Sequence, residues 1–220
     1  MNKKDNMGRA EKGKASGLFA TRTMTVIAIL AALSSVLFYF PEFPVPFMPV
    51  WMKLDFSNLP AMIGTYALGP CAGFIIVAVK DLVGLTHSTS GGIGELADFV
   101  MSAAFVIPAG FIYWHRKNRQ CALVGMAAGT VAMTAAASLT NYYVLIPAFA
   151  ELMGVSVDEI LAAAAAAVPL VESLTLGTYM LWVVVPFNLL KGLLISLVTL
   201  LIYKPLSPVL HGTHGRAGQA

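Results

Sequence analysis

Charged side chains are scarce in this chain. Only 11% of its 220 residues are Asp, Glu, Lys or Arg, and 58% are hydrophobic, whereas an ordinary soluble domain carries roughly 25% charged residues. A soluble fold of this size could not cover so large an apolar core with so little polar surface. The composition therefore predicts one domain embedded in a lipid bilayer. The net charge is +3. Because the positively charged residues lie beside the apolar segments, we expect no nucleic-acid partner.

The sequence also lacks the residue patterns of common enzymes and metal sites. Cys71 and Cys121 each begin an apolar segment, with no His or second Cys at metal-ligand spacing, so we expect no metal and no cofactor. No zincin histidine pair, nucleophile elbow or Walker-type phosphate loop occurs. The glycines around Gly92 suit a tight outer loop. We do not expect them to bind a nucleotide, because no strand precedes them. We therefore expect that the protein is not an enzyme.

The apolar runs have the length of transmembrane helices. A helix rises about 1.5 Å per residue and needs about 20 apolar residues to cross a bilayer. A further apolar stretch, residues 57–85, is interrupted by Gly69 and Pro70, which loosen a helix and remove a backbone donor. The four uninterrupted segments are 23–40, 93–114, 121–149 and 174–203.

The positions of Lys and Arg decide between five and six crossings, because these residues collect in cytoplasmic loops. If the chain crosses twice between 57 and 85, the basic cluster at 115–119 lies on the same side as the amino-terminal tail. Eleven of the 14 Lys and Arg residues then share one side. We predict an all-α integral membrane protein with six transmembrane helices, both termini cytoplasmic and a long outer loop after helix 1.

This topology divides the chain into three parts. Residues 1–22 are basic and glycine-containing, and we expect a disordered cytoplasmic tail. Residues 23–205 form the six-helix membrane domain that would bind the substrate, and 206–220 form a second cytoplasmic tail. A cleaved signal sequence is the alternative interpretation of the amino terminus. Against it, the first apolar run is longer than the usual core of a signal sequence and ends in bulky Phe38, Tyr39 and Phe40.

Two outer segments are too long to be simple turns. Residues 41–56 contain four prolines among apolar side chains, which predicts a non-helical loop that protein or ligand must cover. Residues 151–171 contain Ser156 and Glu159 at the spacing of a capping box, ahead of an alanine-rich stretch closed by Pro169. This second segment predicts a short outer helix, either a lid or a spacer.

Polar residues inside the apolar runs are the strongest candidates for ligand binding, because each is costly in lipid. Asn141 and Tyr142 lie in the fifth predicted span. Asn188 and Lys191 lie three residues apart in the last span and so share a helix face. Amide and ammonium groups suit a neutral ligand rich in carbonyls and ring nitrogens. The alternative is that these groups only hold helices together.

Aromatic and flexible apolar residues near these positions complete a possible pocket. Flat ring ligands stack well on such side chains, although aromatics at this depth are also common membrane-interface anchors. The candidates are Phe47, Met48 and Trp51 in the outer loop, and Tyr142 and Phe187 near the amides.

Several motifs, in this order and spacing, give the sequence a family resemblance from about residue 23 to 205. The chain resembles the riboflavin-specific S component of energy-coupling factor (ECF) transporters. The matching stretches are 54–60 (LDFSNLP), 68–73 (LGPCAG), 88–99 (STSGGIGELADF), 141–143 (NYY) and 186–192 (PFNLLKG).

The resemblance implies a riboflavin-binding subunit of the bacterial plasma membrane, open to ligand from the outer side. It implies that Asn141, Asn188 and Lys191 hydrogen-bond riboflavin while the outer loop closes over it. We include Asp55 and Glu95, from the matching stretches, among the candidate ligand residues. Such subunits take their transport energy from a transmembrane coupling protein and two cytoplasmic ATPases.

The small-residue pair Ala28 and Ala32, at i and i+4 in the first span, would allow a partner helix to approach closely. A similar alanine pattern meets the coupling protein in S components, so the resemblance implies the same contact here.

The chain departs from the resemblance at Asp98 and less clearly at Asp81, where we expect the riboflavin type often to carry Asn. These two positions bear on which ligand the site takes. Another vitamin or FMN remains an alternative, although binding of a phosphate group would require more cationic residues on the outer side than Lys53. A stand-alone proton-coupled carrier using Lys80, Asp81 or Asp98, or a membrane enzyme, would not explain the matching motifs.

Overall fold

The computed structural model describes residues 20–40, 42–49, 51–88, 90–168 and 173–211. The predicted basic tail before residue 20, the end of the carboxy-terminal tail after 211, and Pro169 lie outside the described residues. Helices make up most of the described chain. Their bounds are α1 Thr21–Tyr39, α2 Asn58–Leu68, α3 Pro70–Gly84, α4 Ile93–His115, α5 Arg119–Thr140, α6 Ile146–Met153, α7 Val157–Ala167, α8 Leu176–Tyr179 and α9 Val185–His211.

The predicted break at Gly69 is present and separates α2 from α3. Gly69 has a φ of 114°, a backbone conformation that glycine adopts without strain, and Pro70 takes the first position of α3, where its missing N–H costs nothing. Trp114 of α4 packs on this break and donates its indole N–H to the Thr65 carbonyl at 2.9 Å. The chain therefore reverses direction here, and α2 lies antiparallel to α3.

Five helices within the described residues are long and apolar enough to cross a membrane. Helix α2 is not among them, because its 11 residues extend about 16 Å, roughly half of a bilayer core. Nine of those residues are buried inside the bundle, so α2 is covered by protein. The five helices are Thr21–Tyr39, Pro70–His87, Ile93–His115, Arg119–Met153 and Leu176–Ile202.

Two of the long helices contain a π-helical turn. Asn141–Leu145 joins α5 to α6, and Met180–Val184 joins α8 to α9. A π turn inserts one residue into a helix and often occurs at functional sites. Here the two turns contact each other, so the irregular parts of both helices face the same region of the bundle.

The outer loop after α1 differs in one detail from the predicted all-α fold. It contains a minimal antiparallel hairpin in which Phe43 pairs with Leu54 and Pro44 with Lys53. The Lys53 ammonium lies 2.5 Å from the Glu42 carboxylate across the hairpin. This pairing provides hydrogen-bond partners for part of the loop backbone, which its prolines prevent from forming a helix.

The predicted short helix in 151–171 is present as α7. Its capping box is complete, since Glu159 N–H donates to Ser156 Oγ at 3.2 Å and Ser156 N–H donates to Glu159 Oε2 at 2.8 Å. Leu161 and Ala164 bury one face of α7. That face belongs to an apolar cluster with the outer loop, the second π turn and α9, which we call the loop cluster. Its members include Met52, Leu161, Ala164, Met180, Val183, Val184 and Phe187.

Helices α4 and α5 pack closely, so a larger side chain at their contact should destabilise the fold. A side chain at Gly125 would place its Cβ 2.7 Å from the Ala109 carbonyl oxygen, closer than backbone atoms tolerate. We expect Gly125→Val to lower the free energy of unfolding by about 1–3 kcal/mol through overpacking. Thermal unfolding in detergent, followed by circular dichroism, measures this loss. Gly177→Ala is the control, because no atom lies within 4 Å of its Cβ position; equal melting of the two variants would contradict the prediction.

Candidate functional site

The ammonium group of Lys191, on α9, is buried between two carboxylates from distant parts of the chain. Lys191 Nζ lies 2.7 Å from Asp55 Oδ2 and 3.5 Å from Asp98 Oδ1. Asp55 comes from the end of the outer loop and Asp98 from α4. Because an unpaired ion is very costly in an apolar interior, these pairs fix the position of the ammonium group.

One of these carboxylates, Asp98, connects Lys191 to a second buried lysine. Asp98 is ion-paired with Lys80 of α3 and accepts a hydrogen bond from Ser102 Oγ at 3.1 Å. Lys80 Nζ also lies 3.3 Å from Asp81 Oδ1 and 5.0 Å from the centre of the Phe38 ring. Three carboxylates and two ammonium groups thus form one buried charge cluster: Asp55, Lys80, Asp81, Asp98 and Lys191.

Local structure explains why Asp55 can serve this cluster. Its Oδ1 accepts hydrogen bonds from the backbone N–H of Ser57, at 2.9 Å, and from the Ser57 hydroxyl. These bonds place a carboxylate just before the amino terminus of α2, where the helix dipole favours negative charge. The Ser57 carbonyl in turn accepts a 2.5 Å hydrogen bond from Ser34 of α1. The second Asp55 oxygen is therefore held in place for Lys191.

Two buried side chains, one of them in the cluster, are incompletely hydrogen-bonded. The carboxylate of Asp81 is close to Lys80, but neither of its oxygens has hydrogen-bond geometry with any described residue. The 3.3 Å approach of Lys80 Nζ to Asp81 Oδ1 is a coulombic contact without a directed hydrogen bond. Both polar atoms of the buried Asn58 amide likewise lack a partner within the described chain. Buried polar groups without a hydrogen bond cost free energy.

Asn141 and Asn188 are buried and have similar surroundings. Asn141 Nδ2 donates to the Ala137 carbonyl, and Asn188 Nδ2 to the Val184 carbonyl, each at 2.8 Å. Asn141 is the first residue of one π turn, and Val184 is the last residue of the other. No described residue donates a hydrogen bond to either amide oxygen. Each side chain therefore retains a free acceptor.

The structure separates the predicted aromatic and flexible apolar residues of the pocket by their exposure. Phe187 is buried in the loop cluster, and Met48 packs against that cluster. Trp51 is half exposed and donates its indole N–H to the Tyr179 hydroxyl at 3.2 Å. Tyr142 and Phe47 are exposed by 40% and 72%, so in this conformation they lie at the surface.

Glu95 lies apart from the other predicted ligand residues. Its Oε2 accepts hydrogen bonds from Ser88 Oγ at 2.7 Å and Ser90 Oγ at 3.0 Å, which fix the loop before α4. Glu95 and Asp81 border a groove of about 260 Å³ between α3 and α4. None of Asn141, Asn188 and Lys191 lines this groove. We therefore do not identify it with the predicted pocket.

Ala28 and Ala32 are both exposed on α1, on the side opposite the buried Ile27, Leu30 and Ala31. Their small side chains leave a shallow face that another helix could approach.

The sequence did not predict that Asp55, Lys191, Asp98 and Lys80 would form one network. It offered Lys80, Asp81 and Asp98 as parts of an alternative proton-coupled carrier and treated Lys191 separately. The available signal was that ionisable residues within membrane segments usually pair with one another. That signal implies pairing but does not identify the partners.

A bundle of apolar helices with ion pairs and amides in its interior defines an integral membrane protein of the kind that binds or moves polar solutes. The sequence profile of the family "ECF transporter, substrate-specific component" matches residues 22–203, and the chain belongs to this family.

Three similar proteins agree with the family. The riboflavin transporter RibU of Staphylococcus aureus (strain TCH60) is 31% identical over 186 residues, covering 84% of this chain and 90% of the relative. The riboflavin transporter FmnP of Bacillus subtilis (strain 168) is 28% identical over 190 residues, covering 85% and 93%. A solved S component of a bacterial ECF transporter superposes with a TM-score of 0.66 at 31% identity, covering 86% of this chain and 97% of that one.

Membership of the family confirms the predicted class. The chain is the substrate-specific component of a membrane transporter and not an enzyme, and it acts with other components of an ECF transporter.

Proposed function

We propose that this chain is the high-affinity riboflavin-binding subunit of an ECF-type vitamin transporter. The observation that carries the proposal is that relatives named as riboflavin transporters align with nearly the whole membrane domain. The site chemistry supports it. The flavin ring system is flat, neutral, and presents carbonyl oxygens, ring nitrogens and one N–H group.

The polar residues of the site match these groups. The free amide oxygens of Asn141 and Asn188 can accept the flavin N–H or ribityl hydroxyls. Lys191 has three ammonium hydrogens and donates one of them to Asp55, while Asp98 is an ion-pair partner at 3.5 Å, so a donor remains for a flavin carbonyl. In this proposal Asp55 orients Lys191 and does not itself touch the ring.

The apolar residues would cover the ring faces. Phe187, Met48 and Trp51 offer flat or flexible surfaces beside the loop cluster. Phe47 and Tyr142 would join them only if the outer loop closed further over the ligand. Glu95 would hold the loop before α4, outside the pocket, through Ser88 and Ser90.

We further propose six crossings with both termini in the cytoplasm of a bacterial cell, and a substrate-binding membrane domain at 23–205 between tails at 1–22 and 206–220. In this topology α2 and α3 are the two short crossings on either side of Gly69. Arg116, Lys117 and Arg119 near the α4–α5 junction then face the cytoplasm, as the positive-inside rule favours. The chain is then a multi-pass protein of the plasma membrane.

The partners that we propose are a transmembrane coupling protein and two cytoplasmic ATPases, which supply the transport energy. The exposed pair Ala28 and Ala32 on α1 is the proposed contact with the coupling protein, since small residues permit close helix approach.

A direct titration tests the ligand. We expect the purified protein in detergent to quench riboflavin fluorescence with a Kd below about 1 μM, equivalent to more than about 8 kcal/mol of binding free energy. Thiamine and biotin, added at the same concentrations, should neither bind nor displace riboflavin. Absence of quenching at micromolar riboflavin would contradict the proposal, and displacement by another vitamin would favour a different S component.

A further inference from the structure

Lys80 carries a buried ammonium group that the proposed ligand site does not use. It lies on α3 with a fully buried side chain, and it is ion-paired with Asp98 of α4. The groups around its Nζ also include the Ser102 hydroxyl at 3.4 Å, Asp81 Oδ1 at 3.3 Å and the Phe38 ring, whose centre is 5.0 Å away. An ammonium group enclosed in this way can influence a ligand only through its neighbours.

The two oxygens of Asp98 are divided between two lysines. Oδ2 faces Lys80 and accepts the Ser102 hydrogen bond at 3.1 Å, whereas Oδ1 lies 3.5 Å from Lys191 Nζ. Lys191 donates its short hydrogen bond to the other carboxylate, Asp55 Oδ2, at 2.7 Å. Asp98 therefore attracts the Lys191 ammonium group at a longer distance than a strong hydrogen bond between charged groups requires.

We propose that Lys80 is a positioning residue of the ligand site. By holding Asp98 toward α3, it keeps that carboxylate from capturing a second hydrogen of Lys191, and this hydrogen stays available to the ligand. The inference rests on the proposed riboflavin function, in which Lys191 donates to the flavin ring.

Removal of the Lys80 charge would change the balance around Asp98. Lys191 would be the remaining described cation within 4 Å of that carboxylate. Because a buried charge without a partner is very costly, Asp98 would move into hydrogen-bond distance of Lys191. The ammonium group would then donate to Asp55 and Asp98 together and turn away from the ligand.

Asp81 provides a matched control for this effect. Both Asp81 and Asp98 lie within ion-pair distance of Lys80, so loss of Lys80 deprives both of a cation. Within the described chain, however, only Asp98 also pairs with Lys191. Neutralising either carboxylate relieves one uncompensated charge, but only neutralising Asp98 removes the competitor for Lys191.

The experiment measures riboflavin affinity by fluorescence quenching on full-length protein in detergent. We expect Lys80→Met to weaken binding about tenfold, because a charged hydrogen bond to the ligand is weakened while the other ligand contacts remain. Adding Asp98→Asn to Lys80→Met should bring the affinity back to within about threefold of the unsubstituted protein. Adding Asp81→Asn instead should leave the loss in place.

The absorption spectrum of bound riboflavin provides a readout that a loss of stability does not move. Hydrogen bonds and charges at a flavin ring tune its electronic properties. At saturating riboflavin, we expect Lys80→Met to shift the visible absorption band of the bound flavin. The Asp98→Asn double variant should return the band to its position in the unsubstituted protein. A merely destabilised protein would bind less flavin, but with an unshifted band.

The outcomes separate this inference from the function on which it rests. If the unsubstituted protein binds no riboflavin, the proposed function fails. If it binds riboflavin, and Lys80→Met leaves either the affinity or the absorption band unchanged, the positioning role is overturned. Equal recovery in the Asp98→Asn and Asp81→Asn double variants also overturns it, because Lys80 would then serve charge balance alone.

A second variant keeps the test decisive if Lys80→Met does not elute as a monodisperse peak. Ser102→Ala removes the hydroxyl that donates to Asp98 Oδ2 and changes no charge. It should loosen the same carboxylate, weaken riboflavin binding about threefold and shift the absorption band in the same direction. Unchanged affinity and an unchanged band in this variant would overturn the proposal.

Discussion

Lys191→Met is expected to abolish riboflavin binding and to lower the free energy of unfolding by about 3–5 kcal/mol, the usual cost of breaking a buried ion pair on one side. The methionine fills a similar volume but leaves Asp55 without its ionic partner, while Asp98 retains Lys80. Thermal unfolding in detergent measures the stability loss, and riboflavin fluorescence quenching measures binding. Both readouts should fall together in this variant.

A double variant distinguishes the two effects of Lys191. Lys191→Met combined with Asp55→Asn removes both members of the pair, so no carboxylate is stranded and much of the stability should return. Riboflavin binding should not return, because the donor to the ligand is still missing. If the single variant melts like the unsubstituted protein, the buried pair does not stabilise the fold as we infer. If the double variant binds riboflavin, Lys191 is not a ligand residue.

Features that depend on a few neighbouring residues could be predicted from the sequence. The helix break follows from Gly69 and Pro70 alone, and the start of α7 follows from Ser156 and Glu159, because both signals act through the local backbone. The long apolar segments could be found for the same reason. The two-residue hairpin could not, since its strands are too short to show an alternating pattern.

The buried charge cluster could not be predicted, because it depends on how helices rotate against one another. Asp55 and Lys191 are 136 positions apart, and sequence spacing does not show which faces meet. The neighbours Asn141 and Tyr142 illustrate the same limit. Successive residues on a helix point about 100° apart, and the structure buries the amide while it exposes the phenol.

Asn188→Leu should have the opposite profile to Lys191→Met, with a large loss of binding and little loss of stability. The Asn188 amide donates only to the Val184 carbonyl of its own helix, and replacing a buried polar group by an apolar one of similar size is often nearly neutral for folding. We expect riboflavin affinity to fall about 100-fold, equivalent to about 2.7 kcal/mol, while the free energy of unfolding changes by less than about 1 kcal/mol. Fluorescence titration and thermal unfolding provide the two values.

Asn58 supplies the matched control for this loss of affinity. It is also a buried asparagine, but its amide has no described partner and it is not among the proposed ligand residues. Asn58→Leu should therefore leave riboflavin affinity within about threefold and should not reduce stability, since it removes a buried polar group that makes no hydrogen bond with the described chain. Equal loss of affinity in the two variants would mean that binding responds to any change in interior polarity. A selective loss in Asn188→Leu would instead assign the effect to the free amide oxygen on α9, one helical turn from Lys191.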